Sequence, residues 1–132
     1  LDPTARIKGW QQLAVAVEKV RVKIPAQENL FLASPSRQVV SELAFYLPGQ
    51  PQVYMWSSES RVQSQYDLWS PPDLEKKRDG LIVFEEGALP PARIRTSFAS
   101  FEKLEDVEIS LGRGGSRRFS VYLGHSIKAW PR

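Results

Sequence analysis

Three places in this 132-residue chain bring together residue types that could do chemistry. Gly112, Gly114 and Gly115 stand among Arg113, Arg117 and Arg118, a combination able to cradle a phosphate or meet an acidic lipid headgroup. A phosphate loop, however, runs from a strand into a helix, so that backbone N–H groups converge on the anion. Here the pattern that follows is a strand, so the plainer reading is a hairpin turn. Arg113, Arg117 and Arg118 remain the anion candidates. Glu85-Glu86-Gly87 lies at the carboxyl end of a predicted parallel strand, where open α/β sheets bind ligands. No glycine fingerprint precedes it, which favours a solvated strand end over a nucleotide site. His125 is the chain's single histidine. No Gly-x-Ser-x-Gly elbow accompanies it, and it falls near the end of the last predicted strand, which weighs against a catalytic triad.

Aromatic residues are the next candidates. Trp10, Trp56, Trp69 and Trp130 could stack on sugars, although aromatics more often pack in cores. The segment from Arg61 to Trp69 puts large rings into an otherwise polar loop. Such a loop is either pinned to the core or used for binding. Arg61, Gln65, Tyr66, Asp67 and Trp69 are therefore the candidate binding surface. Asp67 would be expensive to bury unpaired, and Arg61 is its nearest candidate partner in sequence.

Composition narrows the classes. Lys plus Arg is 18 and Asp plus Glu is 15, a net charge of +3 that is too small and too dispersed to argue for nucleic acid. Hydrophobic residues make up 42% and charged residues 25%, the balance of a folded soluble domain rather than a disordered one. Without cysteine there can be no disulfide, zinc–thiolate site, Fe–S cluster or cysteine nucleophile. One histidine excludes a His-rich metal site. No cofactor motif is visible, and no apolar run approaches the roughly 20 residues of a membrane span. The chain starts at Leu1 without a signal-like segment, which we read as a piece of something longer.

The elements that must position these residues follow from periodicity. Asp2-Pro3-Thr4 reads as a helix start. Trp10, Leu13, Ala14, Val17, Val20 and Ile24 then recur at steps of three and four, one apolar helix face. Gly9 should weaken the first turns, so that the regular helix starts at Trp10. Leu30 to Ala33 reads as a buried strand. Ser34 or Ser36 caps a second helix, whose stripe is Val39, Val40, Leu43, Ala44 and Leu47, stopped by Pro48-Gly49. Val53 to Trp56 and Leu81 to Phe84 read as strands. The charge run Glu75 to Asp79 reads as exposed surface. Pro90 to Phe101 reads as a short helix. Two closing strands, Leu104 to Leu111 and Phe119 to Leu123, are joined by the glycine loop. The expectation is one α/β domain over 1–132, three-layer-like. A mainly parallel central sheet carries packed helices and ends in an antiparallel hairpin at or near an edge.

One string goes further. Ser41-Glu42-Leu43-Ala44-Phe45-Tyr46-Leu47-Pro48-Gly49-Gln50-Pro51, then Val53-Tyr54, then Gln65-Tyr66-Asp67-Leu68-Trp69, resembles the soluble carboxyl-terminal domain of bacterial family 39 glycosyltransferases. These are similar to dolichyl-phosphate-mannose protein mannosyltransferases and the lipid A aminoarabinose transferase. Asp2-Pro3-Thr4 and Gly9-Trp10 match the way that domain begins after the last membrane helix. The resemblance covers positions 2 to 69 and continues beyond them only in element order. It implies a membrane enzyme that moves a sugar from a polyprenyl-phosphate donor to an acceptor on the extracytoplasmic, periplasmic face of the inner membrane. The catalytic acid of that family sits in an early loop between membrane helices, so no catalytic residue carries over to this chain. The implied partners are the membrane-embedded part of the parent chain and the glycosyl acceptor. The rival readings are a freestanding interaction module using the 61–69 loop and a small nucleotide-binding domain with its ligand near Glu85 and Glu86.

Overall fold

The computed structural model describes residues 3–25, 30–55, 78–85 and 92–127. The candidate surface Arg61, Gln65, Tyr66, Asp67 and Trp69 lies outside the described residues, as do Trp56, Trp130 and Glu86. Element order is α1 (Pro3–Arg21), β1 (Leu30–Ser34), α2 (Arg37–Tyr46), β2 (Val53–Met55), β3 (Asp79–Glu85), α3 (Ala92–Arg95), β4 (Phe98–Ser110) and β5 (Ser116–Ile127).

The five strands form one mixed sheet in the order β2-β1-β3-β5-β4. β1 pairs parallel with both β2 and β3. β5 runs antiparallel between β3 and β4, and β4 is an edge strand. The α/β class, the parallel first half and the antiparallel closing hairpin are as expected.

The two faces are covered differently. On one face α1 contributes Trp10, Leu13, Ala14 and Val17, and α2 contributes Val39, Val40 and Leu43, with Leu47 at its C-terminal cap. They pack on Leu32, Leu81, Val83, Val121 and Phe119. On the other face Phe31, Ile82, Phe84 and Phe98 close around Ile94 of α3. β3 is buried from Gly80 to Phe84 because both faces are occupied, the pattern its unbroken apolar run predicts. Ser36 is the cap of α2, accepting a hydrogen bond from the Val39 N–H (3.3 Å). Ser34 instead donates to the Val83 carbonyl from β1 and is fully buried. Gly49 adopts φ +79° after α2, the left-handed turn that glycine permits.

Three local expectations need correction. α1 is helical from Pro3 through Gly9, and at Gly9 it packs tightly against the end of β4. A Cβ there would lie 2.5 Å from the Ser110 carbonyl oxygen and 2.7 Å from Leu111 Cδ2. The helix expected over Pro90 to Phe101 is only Ala92–Arg95, and β4 already begins at Phe98. Phe98 goes to the sheet, where its ring lies over Gly124 of the neighbouring strand, in space that the absent Cβ leaves open. The first closing strand, expected to begin at Leu104, begins at Phe98 instead, and Leu104 sits within it at a β-bulge between Lys103 and Glu105, partly exposed.

Candidate functional site

The carboxyl ends of the parallel strands, where ligand sites are usually sought in such sheets, are occupied by a side-chain knot. Arg117 at the start of β5 donates to both carboxylate oxygens of Glu85 at the end of β3 (3.1 and 2.5 Å). Its remaining amino group donates to Gln38 Oε1 of α2 (3.0 Å). Its guanidinium lies 5.0 Å from the Trp10 ring centroid and 5.6 Å from that of Phe119. One residue thereby joins α1, α2, β3 and β5. Glu85 and Arg117 neutralise one another here, and Trp10 is buried against Phe119 rather than offered to a sugar. Arg118 is exposed and donates to Glu108 across the hairpin (3.0 Å). Arg113 is exposed on the 3-10 turn Gly112–Gly114. That turn is closed by the Leu111 and Gly115 N–H groups (2.8 and 3.0 Å), with Gly112 and Gly115 at positive φ. The structure therefore separates the three anion candidates rather than converging them.

The opposite end of the sheet is open. α1 stops at Arg21, and the turn after it brings Ile24 down as a core residue. Beyond that last turn the helix-covered face of the sheet carries polar groups instead of apolar ones. Leu81 of β3 pairs with Leu123 of β5, and Leu123 pairs with Glu102 of β4. Two residues further along, on the same face by strand alternation, come Asp79 and His125. The His125 imidazole sits between two carboxylates: Nδ1 is 3.8 Å from Asp79 Oδ2 and Nε2 is 3.8 Å from Glu102 Oε1. Asp79 is oriented by the Ser126 N–H, which donates to its Oδ1 (2.9 Å). Ser126 holds a left-handed φ of +54°, an uncommon conformation for a residue with a side chain.

Asp79 and His125 line a bowl of about 540 Å³. Val20, Ile24, Leu104 and Leu123 give it apolar walls, and Lys23 and Glu105 stand at its rim with Asp79 and His125. A groove of about 640 Å³ adjoins it between α1 and the edge strand. The combination of apolar walls with a few convergent polar groups is what ligand sites present. Donors and acceptors of both signs suit a polar, hydroxyl-bearing ligand. Among the described residues no group of three or more His, Asp or Glu side chains is arranged to hold a metal ion.

Sequence reasoning placed His125 near the end of the last strand but gave it no partners. The signal was present in register: once β3, β5 and β4 are aligned, Asp79, His125 and Glu102 must share one face. Asp79, which the charge run Glu75 to Asp79 would put on exposed surface, opens β3 and accepts a backbone bond from Ser126. No protein-family model, no curated protein and no solved structure matches this chain.

Proposed function

We propose that this chain is a non-catalytic, extracytoplasmic domain of a membrane glycosyltransferase, and that it receives the polar part of the glycosyl acceptor in the His125 bowl. The observation that carries the reading is the bowl itself: an open cavity whose apolar walls frame Asp79, His125 and Glu105. The resemblance over Ser41 to Pro51 adds the enzyme context. Those residues build α2 and its closing turn, with Leu43 and Leu47 at 1% and 2% exposure. A lipid-linked donor is handled within the membrane, while a soluble domain can hold a polar acceptor against it. No helix among the described residues is long and apolar enough to cross a membrane, so in this reading the donor belongs to the rest of the parent chain.

The test has two stages. The gene upstream of Leu1 is read for several apolar segments of about 20 residues each. In the full-length enzyme, His125→Ala and Asp79→Asn should raise the acceptor KM while leaving the donor KM unchanged. If both variants fold and the acceptor KM does not move, the bowl is not the acceptor site.

A further inference from the structure

Three arginines are partly buried among the described residues: Arg21, Arg78 and Arg117. Arg21 is forked onto the Glu18 carboxylate (2.6 and 2.9 Å), as Arg117 is onto that of Glu85. Arg78 has no such partner. Its backbone carbonyl accepts from the Ile127 N–H (2.8 Å), but among the described residues nothing accepts from its guanidinium. Asp79, next to it in the chain, is sent to the other side of the sheet by strand alternation. There it lines the His125 bowl and accepts from the Ser126 N–H. A guanidinium drawn out of water without an acceptor is costly. An acceptor brought by a ligand would remove that cost.

Arg78 lines a second cavity, of about 280 Å³, at the amino ends of the parallel strands. Arg21, the last residue of α1, lines it too, as does Gln52 just ahead of β2. Glu18 takes the Nε and one amino group of Arg21. That holds the guanidinium in place and leaves its other amino group for a ligand. Leu30, Pro51 and Tyr54 add apolar wall, and among the described residues no carboxylate lines the cavity.

We propose that this cavity binds a phosphate group, with Arg78 forked onto it and with Arg21 and the Gln52 amide donating to its remaining oxygens. Guanidinium forks fit carboxylate and phosphate alike. Phosphate is favoured because the donors come from three elements, and a tetrahedral anion presents oxygens in several directions, whereas one fork satisfies a planar carboxylate. The cavity is at the small end of ligand pockets, so the ligand is free phosphate or a phosphoester with a short organic part, not a nucleotide or a lipid chain. None of these residues lines the bowl, so the site stands or falls apart from the acceptor reading.

The experiment is thermal melting and amide NMR titration of the 132-residue chain with inorganic phosphate and with glycerol phosphate. Sodium chloride and acetate at matched ionic strength are the controls. Both phosphates should raise Tm saturably and shift the amides of Arg21, Gln52 and Arg78, and the controls should do neither. The tighter of the two phosphates identifies the source, an ester or the free anion. Arg78→Gln should weaken phosphate binding at least about tenfold. Without ligand it should melt no lower than wild type, because it removes an unpaired charge. Arg78→Lys keeps the charge but not the fork and should recover only part of the binding. Gln52→Ala, at the exposed rim, should fold normally and weaken phosphate binding severalfold. Phosphate that acts no better than acetate would overturn the proposal. So would wild-type phosphate affinity in Arg78→Gln or, should that variant not fold, in Gln52→Ala. An acceptor KM that ignores His125→Ala while phosphate still binds would remove the acceptor reading and leave this site standing.

Discussion

Arg117 clasps Glu85 with two hydrogen bonds while its guanidinium lies across the ring of Trp10. The pair ties the start of the last strand to the end of the central one. It also fixes α1 and α2 over the same end of the sheet. The partly exposed side chains limit what the ion pair alone contributes, so much of its value lies in the forked geometry and the ring contact.

Arg117→Ala should therefore destabilise the domain by about 1–3 kcal/mol. Arg117→Lys should recover less than half of that, since a lysine can neither fork onto Glu85 nor lie flat on Trp10. Urea denaturation of the two variants measures both. A lysine variant as stable as wild type would reduce the knot to a point charge.

Gly9→Ala offers a test in which two effects have opposite signs. Helix propensity alone predicts a gain of about 1 kcal/mol. The new methyl, however, meets the Ser110 carbonyl, which is backbone and cannot swing aside. A net loss of about 1–3 kcal/mol is expected. Thermal or chemical unfolding decides the sign.

Leu43→Ala should cost about 2–5 kcal/mol, because the residue is 1% exposed beneath α2 and its cavity has little room to collapse. Small domains hold about 5–15 kcal/mol in all, so the variant should unfold at distinctly lower denaturant. A loss below about 0.5 kcal/mol would be that of a surface site.

Asp106 on the edge strand titrates below its usual 3.8, chiefly because the Ser120 hydroxyl donates to it, and then because Lys103 does. A lowered folded value means that the ionised form favours the folded state above 3.8 and that this contribution is lost as pH falls through the folded value. NMR titration of the Asp106 carboxyl should show its midpoint moving up toward 3.8 in Ser120→Ala. An unmoved midpoint would leave the hydroxyl without a role.

Much of the fold was legible because its elements speak in clean periods. Val39, Val40, Leu43 and Leu47 gave the buried stripe of α2, and the unbroken run Leu81 to Phe84 gave a strand covered on both faces. Phe98 and Phe101 misled because their spacing of three also fits a helix. What decides them is the glycine opposite, which belongs to another strand and leaves no local mark. The site was illegible for the same reason. Asp79, Glu102 and His125 stand on three strands, and only their register brings them within 3.8 Å of a shared imidazole. Gly9 looked like a helix breaker because its partner, Ser110, is a hundred residues away in the chain.

The second face of the sheet is built around a glycine pair. Gly80 and Gly124 are cross-strand partners, and the rings of Phe31 and Phe98 lie over them, stacked on one another with centroids 6.2 Å apart. A Cβ at either glycine would fall 2.5 Å from the ring above it. Bulk at these four positions is therefore a shared quantity: a methyl gained on the strand must be matched by a ring surrendered above it. Over evolutionary drift the positions should change in concert or not at all. Libraries that randomise one of them should return only the starting residue, while libraries that randomise a glycine together with its covering phenylalanine should return new pairs.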